Sequence, residues 1–336
     1  MPTQIEQLPS EIWFHTFSYF EGHELIRLFS HLNSFIDSLL HSKYLHLHLR
    51  IRQGESNERL TEWIWSEINR ENIFSLNFVT RKANCLIQFL RWNALSLTHL
   101  STLSVYLKQS SSSYNIPYLI IALGQMPSLN RLRIKYRSRL NSNNDPLELL
   151  LSALFSSRFP IRSYAINFEI TNYQLKTSTW TTNQFLQHLS IEETSFSNLL
   201  LILSFTPQLQ SLRTRLRESN NVSYQKVSLP NLRKAHLRVW LLPFHQLEIF
   251  KECVPTLEIL QLTGYFASSE TNYLKEKSLR QLVDDIRCFK VNLSGYKLGG
   301  LRKEFLKDHM PNSNEGNCLS YEENGEFIKV FIKLRS

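Results

Sequence analysis

The sequence predicts an α/β fold: an N-terminal three-helix module followed by a solenoid of short parallel strands alternating with helices. Three observations carry this expectation. Leu makes up about one residue in six of the 336, while Gly occurs only 9 times, against roughly 24 at average usage. A motif of the form LxxLxL, with apolar substitutes, starts at residues 73, 100, 129, 161, 186, 209, 232, 257 and 288. Apolar residues in the first forty positions instead recur at helical spacing. A chain of this length buries roughly three quarters of its unfolded surface and needs no disulfide or metal staple. The hydrophobic fraction of 42% and charged fraction of 20% describe a globular chain.

The first element opens at Leu8-Pro9-Ser10-Glu11. Pro9 suits a first helical turn, where its missing N–H costs nothing, and Glu11 complements the helix dipole. Ile12, Trp13, Phe17 and Phe20 form the stripe, and Gly22 reads as the residue that ends the helix. A second helix carries Leu25, Leu28, Phe29 and Leu32, and a third Phe35, Ile36, Leu39 and Leu40. Three helices this short bury little surface and gain from a partner. Residues 51–71, with Trp63 and Trp65, read as a helical connector.

The string from Leu8 to Leu40 resembles an F-box. Leu8, Pro9, Glu11 and Ile12 match the opening of that family's pattern, Phe17 its first-helix aromatic, and Glu24-Leu25 its acidic-Leu pair. Thr16 stands where Ile is usual, and Ser34-Phe35 where Arg-Trp is common. The resemblance covers about residues 5–45 and implies binding to a Skp-family adaptor and, through it, a cullin–RING ubiquitin ligase. Its adaptor-binding residues would be Leu8, Pro9, Ile12, Phe17, Leu25, Leu28 and Phe35. A generic three-helix cap is the other reading.

The nine motif starts are separated by 27, 29, 32, 25, 23, 23, 25 and 31 residues, close to the period of roughly 20–29 of leucine-rich repeats. Pro precedes four copies, in Met126-Pro127-Ser128, Thr206-Pro207-Gln208, Leu229-Pro230-Asn231 and Val254-Pro255-Thr256. Helix-like segments run over 116–125, 147–155, 196–204 and 247–253. A unit of helix, Pro turn and strand buries its apolar face only by stacking on neighbours. The pattern resembles degenerate leucine-rich repeats, of the kind often joined to F-boxes; an ordinary α/β domain is the alternative. The resemblance leads one to expect Asn three residues after the last motif position. Lys108, Arg137, Glu169, Thr194, Arg217, Trp240 and Tyr265 occupy it instead. Ser110–Ser113 and Asn141–Asp145 read as loops, Asn312–Asn317 as a turn and Glu326–Leu334 as a terminal capping strand. The expected domains are thus 1–50, the connector 51–71, and the array 72–336.

Residues between the apolar motif positions alternate to the other strand face, which in the leucine-rich-repeat family lines a concave surface. There the third repeat presents Arg131, Arg133 and Lys135, the sixth Arg213, Arg215 and Arg217, and the seventh Lys234, His236, Arg238 and Trp240. The chain carries 38 Lys+Arg against 29 Asp+Glu, a net charge of +9. Much of that excess falls on these positions, which suit an acidic or phosphorylated protein substrate, because the Arg fork binds carboxylate and phosphate in pairs of hydrogen bonds. A solvated basic face that binds nothing specific is the plainer reading. No RNA-recognition motif or zinc knuckle accompanies it, so nucleic acid is not an expected partner.

The chain carries no GxGxxG, GxxxxGK[ST], GxSxG or HExxH motif. Asp284-Asp285 are adjacent and would diverge on a helix. No enzyme activity and no cofactor are expected. Cys85, Cys253, Cys288 and Cys318 are scattered and read as reduced thiols. His41, His46 and His48 lack a neighbouring carboxylate or thiol, so no metal site is expected, and His46 and His48 read as helix or loop surface. With no signal-peptide pattern or apolar run of about 20 residues, a cytoplasmic or nuclear location without membrane attachment is expected.

Overall fold

A computed structural model describes residues 7–52, 68–80, 83–107, 116–136, 145–155, 159–170, 175, 177–218, 227–266, 278, 282, 286, 288–296, 318–324 and 327–335. Trp63, Trp65, Lys108, Ser110–Ser113, Arg137, Asn141–Asn144, Asp284-Asp285 and Asn312–Asn317 lie outside the described residues. The fold is mixed α/β with parallel strands, and it divides into two compact units. The first holds residues 1–154 and 158–164, the second 155–157 and 165–336.

The first unit opens with α1 (Ser10–Phe17), α2 (Gly22–Phe29) and α3 (Ser34–Leu40). Pro9 precedes the helix as its N-cap rather than lying within its first turn. Glu21 and Glu24 form a capping box on α2, each side chain bonding the other's backbone N–H, so two otherwise unpaired donors are satisfied. Asn33 Oδ1 accepts from Ile36 N–H at 2.8 Å and starts α3. Trp13, Phe17, Leu25, Ile26, Ile36, Leu39 and Leu40 form the buried side of the three helices. The Phe17 and Phe20 rings both meet Phe29, at 5.2 and 5.4 Å between centroids.

Gly22 does not end α1; it is the first residue of α2 and is buried. The cause is steric: a Cβ there would fall well under 3.0 Å from Leu49 Cδ2 and 3.4 Å from its Cγ. Leu49 belongs to β1 (Leu47–Arg52), a strand the motif scan misses. The boundary expected at 50/51 therefore falls inside a strand. Of the expected helical connector, Ile51 and Arg52 are strand and Arg70–Asn72 is a single 3₁₀ turn. His46 lies on the exposed loop just before the strand, as expected, whereas His48 lies on the strand itself; the His46 ring stacks on Phe74 at 5.0 Å.

The unit continues with β2 (Ile73–Thr80), α4 (Ala83–Asn93), β3 (Thr102–Leu107), α5 (Ile116–Gly124), β4 (Arg131–Tyr136) and α6 (Asp145–Phe155). Strands β1 to β4 pair in chain order, all parallel. Register aligns the motif: Leu49 faces Leu76, Leu76 faces Leu103, and Leu103 faces Leu132. All three apolar positions of the first three motifs are buried. Strand β5 (Ser163–Glu169) is where the chain passes from one unit to the other.

The second unit contains β6 (His188–Ser195), α7 (Phe196–Ser204), β7 (Ser211–Arg217), β8 (Lys234–Trp240), α8 (Phe244–Cys253), β9 (Ile259–Phe266), β10 (Cys288–Tyr296), β11 (Cys318–Asn324) and β12 (Phe327–Arg335). Strands β6 to β10 pair in parallel in chain order. The final strand expected over Glu326–Leu334 is β12, which reverses direction to pair antiparallel with β10; β11 then pairs antiparallel with β12. The described cysteine side chains, Cys253 and Cys288, are free thiols.

The ninth motif is placed two residues late by the sequence. Parallel pairing sets Phe289 opposite Leu260 and Val291 opposite Leu262. The structural triplet is therefore Ile286-xx-Phe289-x-Val291, all buried, with Cys288 partly exposed.

A shared turn precedes each Pro-marked strand. The N–H of Leu129, Leu209, Leu232 and Leu257 donates to the carbonyl of Met126, Thr206, Leu229 and Val254. Pro127, Pro207, Pro230 and Pro255 thus occupy the second position of a β-turn, where the fixed φ of proline is favourable. The next residue reaches back one turn: Asn231 Nδ2 donates to Pro207 O at 3.1 Å, and Thr256 Oγ1 to Pro230 O at 2.8 Å. These bonds link successive turns without the Asn expected after the strand.

Candidate interaction surfaces

The N-terminal helices spend their largest side chains on their own core. Phe17 and Leu25 are 2% and 1% exposed, so both are corrected from adaptor contacts to core residues. Phe35, at the start of α3, is partly exposed. Leu8, Ile12 and Leu28 are 43%, 50% and 48% exposed; Pro9 is also exposed, and Leu32, which the sequence reading did not single out for contact, is 61% exposed. The Thr16 hydroxyl is satisfied within the helix, donating to Ile12 O at 2.8 Å. Leu8, Ile12, Leu28 and Leu32 are thus four exposed branched apolar residues on a module of three short helices, each available for apolar contact.

The ten expected substrate-facing residues all lie on the side of their strands away from the motif residues, as period-two alternation requires. They fall into two groups. Arg131, Arg133 and Lys135 are on β4 of the first unit, and Lys135 Nζ lies 5.1 Å from the centre of the Tyr106 ring on β3. The other seven are on β7 and β8 of the second unit.

In the second unit the register makes rows. Arg213 faces His236, Arg215 faces Arg238, and Arg217 faces Trp240; His236 faces Gln261, Arg238 faces Thr263, and Trp240 faces Tyr265. Neighbouring strands lie about 4.8 Å apart, so each row is a line of adjacent side chains. The Trp240 and Tyr265 rings meet edge to face at 5.0 Å. Both are solvent-exposed. Their strand ends are joined, since Leu241 N–H donates to Tyr265 O at 2.9 Å. That bond holds Leu241 at φ 54°, in left-handed backbone unusual for a leucine.

Glu193 is the residue whose partners alternation does not give. Counting by twos puts Glu192 on the outward face and Glu193 inside. The β6–β7 register slips between Ile191 and Thr194, a bulge that re-aims a side chain. Glu192 is exposed, whereas the Glu193 side chain is only 5% exposed and takes two guanidinium partners. Arg215 Nη1 donates to Glu193 Oε2 at 2.9 Å, and Arg217 Nε pairs with Glu193 Oε1. Arg213, Arg238 and Lys234 have no carboxylate partner among the described residues. The cations are therefore of two kinds: a pair committed to an internal carboxylate and a set open to an external anion. The one sequence signal for Glu193 is the polar run Glu192-Glu193-Thr194-Ser195 where an apolar residue is due.

Among the described residues, no group of His, Cys, Asp and Glu could hold a metal ion, and no helix is long and apolar enough to cross a membrane. The comparisons with known proteins leave the residues to speak alone: no protein-family model matches the chain, and no curated protein matches it.

Proposed function

We propose that the chain is the substrate-recognition adaptor of a cullin–RING ubiquitin ligase. In this reading the F-box-like helices bind a Skp-family adaptor, and a leucine-rich-repeat-like solenoid holds an acidic or phosphorylated protein substrate. The ligase chemistry belongs to other subunits. The observation that carries it is the exposure of Leu8 and Ile12, motif-position residues of the resemblance, and of Leu28, an expected adaptor-binding residue, beside a buried core of Trp13, Phe17, Leu25 and Ile36. Each such side chain is about half exposed, so burying the remainder against a partner contributes roughly 0.7–1.5 kcal/mol. The test is co-purification with a Skp-family adaptor and a cullin. Wild type brings down both, and the variant Leu8→Ala, Pro9→Ala, Ile12→Asp brings down neither while keeping its fold. All three positions are exposed, so loss of binding is not loss of structure.

A second reading has its own observation. The seating of Gly22 against Leu49 joins α2 to the first strand, as in a helical cap on an interaction scaffold without a ligase role. A wild-type chain that brings down neither subunit decides for the scaffold.

A further inference from the structure

The open cations and the aromatic pair of the second unit stand in a fixed order. Along β8, Trp240, Arg238 and His236 follow one another at every second residue, all exposed. The same order on β7 is Arg217, Arg215 and Arg213. Every second residue of a strand is about 6.7 Å further on, so the face reads, from the strand ends inward, as an aromatic shelf, then Arg215 with Arg238, then Arg213 with His236. Charge complementarity names the kind of occupant. On β6, β7 and β8 this face carries Arg213, Arg215, Arg217, Lys234 and Arg238 against Glu192 and Glu193. Glu193 is consumed by Arg215 and Arg217. Leu241 at positive φ is a second mark of the place, because strained backbone persists where surrounding structure over-determines it and clusters at binding sites.

We propose that the outward face of β7, β8 and β9 binds an extended acidic segment of a partner protein in one register: an apolar or aromatic residue against Trp240 and Tyr265, and anionic side chains two and four residues away on Arg238 and on Arg213 with His236. An extended peptide repeats its side-chain direction every second residue, with nearly the spacing of the strand beneath it. Its anchor and two anions therefore fall on the three rows without distortion. Arg215 and Arg217 position the site: tied to Glu193, they hold their rows rather than compete for the peptide. The anion is a carboxylate or a phosphate, since both match the guanidinium fork. The proposal rests on the receptor reading only in naming the bound segment a substrate; the binding itself does not depend on it.

The test uses the purified full chain and fluorescein-labelled nonapeptides read by anisotropy. One probe has the core Phe-Ser-Glu-Ser-Glu, one its reverse, one has phosphoserine in place of both Glu, and one the shuffled core Phe-Glu-Glu-Ser-Ser. Expected is binding of one spaced core or its phosphorylated form, at least about tenfold tighter than the shuffled core. Preference between Glu and phosphoserine identifies the anion. The double variant Arg213→Ala, Arg238→Ala and the single variant Trp240→Ala each weaken it by about tenfold or more, a loss of one good contact per factor of ten. Arg91→Ala, on α4 of the first unit and outside the substrate-facing set, leaves it unchanged. Equal binding of spaced and shuffled cores overturns the register. No binding of any probe, or displacement of the peptide by a single-stranded RNA of the same charge at lower concentration, overturns the peptide site. Peptide binding by a preparation that brings down no Skp-family adaptor sustains this proposal and sinks the receptor reading alone.

Discussion

Three glycines test the packing against one another. Gly264, in the middle of β9, has φ of +121°, and a Cβ there would fall far inside 3.0 Å of the Val239 carbonyl oxygen and 3.0 Å from its carbon. Val239 is its neighbour in the parallel register. Gly264→Ala must therefore both strain its own backbone, about 1–3 kcal/mol, and push the facing carbonyl off its hydrogen bond, about 1 kcal/mol more. The expected loss is about 3 kcal/mol, with displacement of the adjacent Tyr265. Gly22→Ala meets only the Leu49 side chain, an overpacking worth about 1–3 kcal/mol partly offset by up to about 1 kcal/mol of helix propensity. Gly124→Ala, at the end of α5, finds Phe159 Cε1 at an ordinary 3.5 Å, and its stability changes by no more than about 0.5 kcal/mol. The assay is urea unfolding followed by tryptophan fluorescence and circular dichroism. The order of loss is Gly264, then Gly22, then Gly124. A Gly264→Ala chain as stable as Gly124→Ala refutes the steric argument.

Two further outcomes follow from the second unit. Glu193→Gln removes the charge that holds Arg215 and Arg217; because both guanidinium groups are a third to a half exposed, water replaces much of the loss, and urea midpoints fall by no more than the equivalent of about 1–2 kcal/mol. The same variant releases Arg215 and Arg217 from the rows they hold and binds the spaced acidic peptide more weakly; tighter binding would show that the freed cations contact the peptide themselves. For the register of the ninth strand, Ile286→Ala destabilises by about 2–4 kcal/mol, as a buried truncation does, while Cys288→Ala costs under about 1 kcal/mol. The reverse order restores the register read from sequence.

The motif positions were legible because a buried strand face demands apolar residues at fixed spacing: Leu76, Leu103, Leu132, Leu189, Leu212 and Leu260 are all buried. The helices over 116–124, 145–155, 196–204 and 244–253 were legible from the apolar segments before each strand. What escaped depends on partners distant in sequence. Strand β1 carries no complete motif, and only pairing with β2 reveals it. Gly22 reads as a stop until Leu49 is placed against it. Two registers compete at Ile286 and Cys288, because Leu293 is apolar as well; pairing with β9 chooses between them. At the site, alternation found the exposed Arg, Lys, His and Trp. It missed the pairing of Glu193 with Arg215 and Arg217, because the extra residue between Ile191 and Thr194 re-aims that side chain.

The placement of the ties between repeats has a consequence for how the chain can change. Asn231 and Thr256 secure each turn to the one before it at the start of the strand. At the far end, strands of seven residues or more carry Arg217, Trp240 and Tyr265 outward at the positions where a structural Asn was expected. In the proposed reading, the aromatic anchor is thereby set at the opposite end of the strands from the side-chain ties of the turns. Substitutions at Arg217, Trp240 and Tyr265 can therefore change what that end presents while the Asn231 and Thr256 bonds between successive turns stay in place.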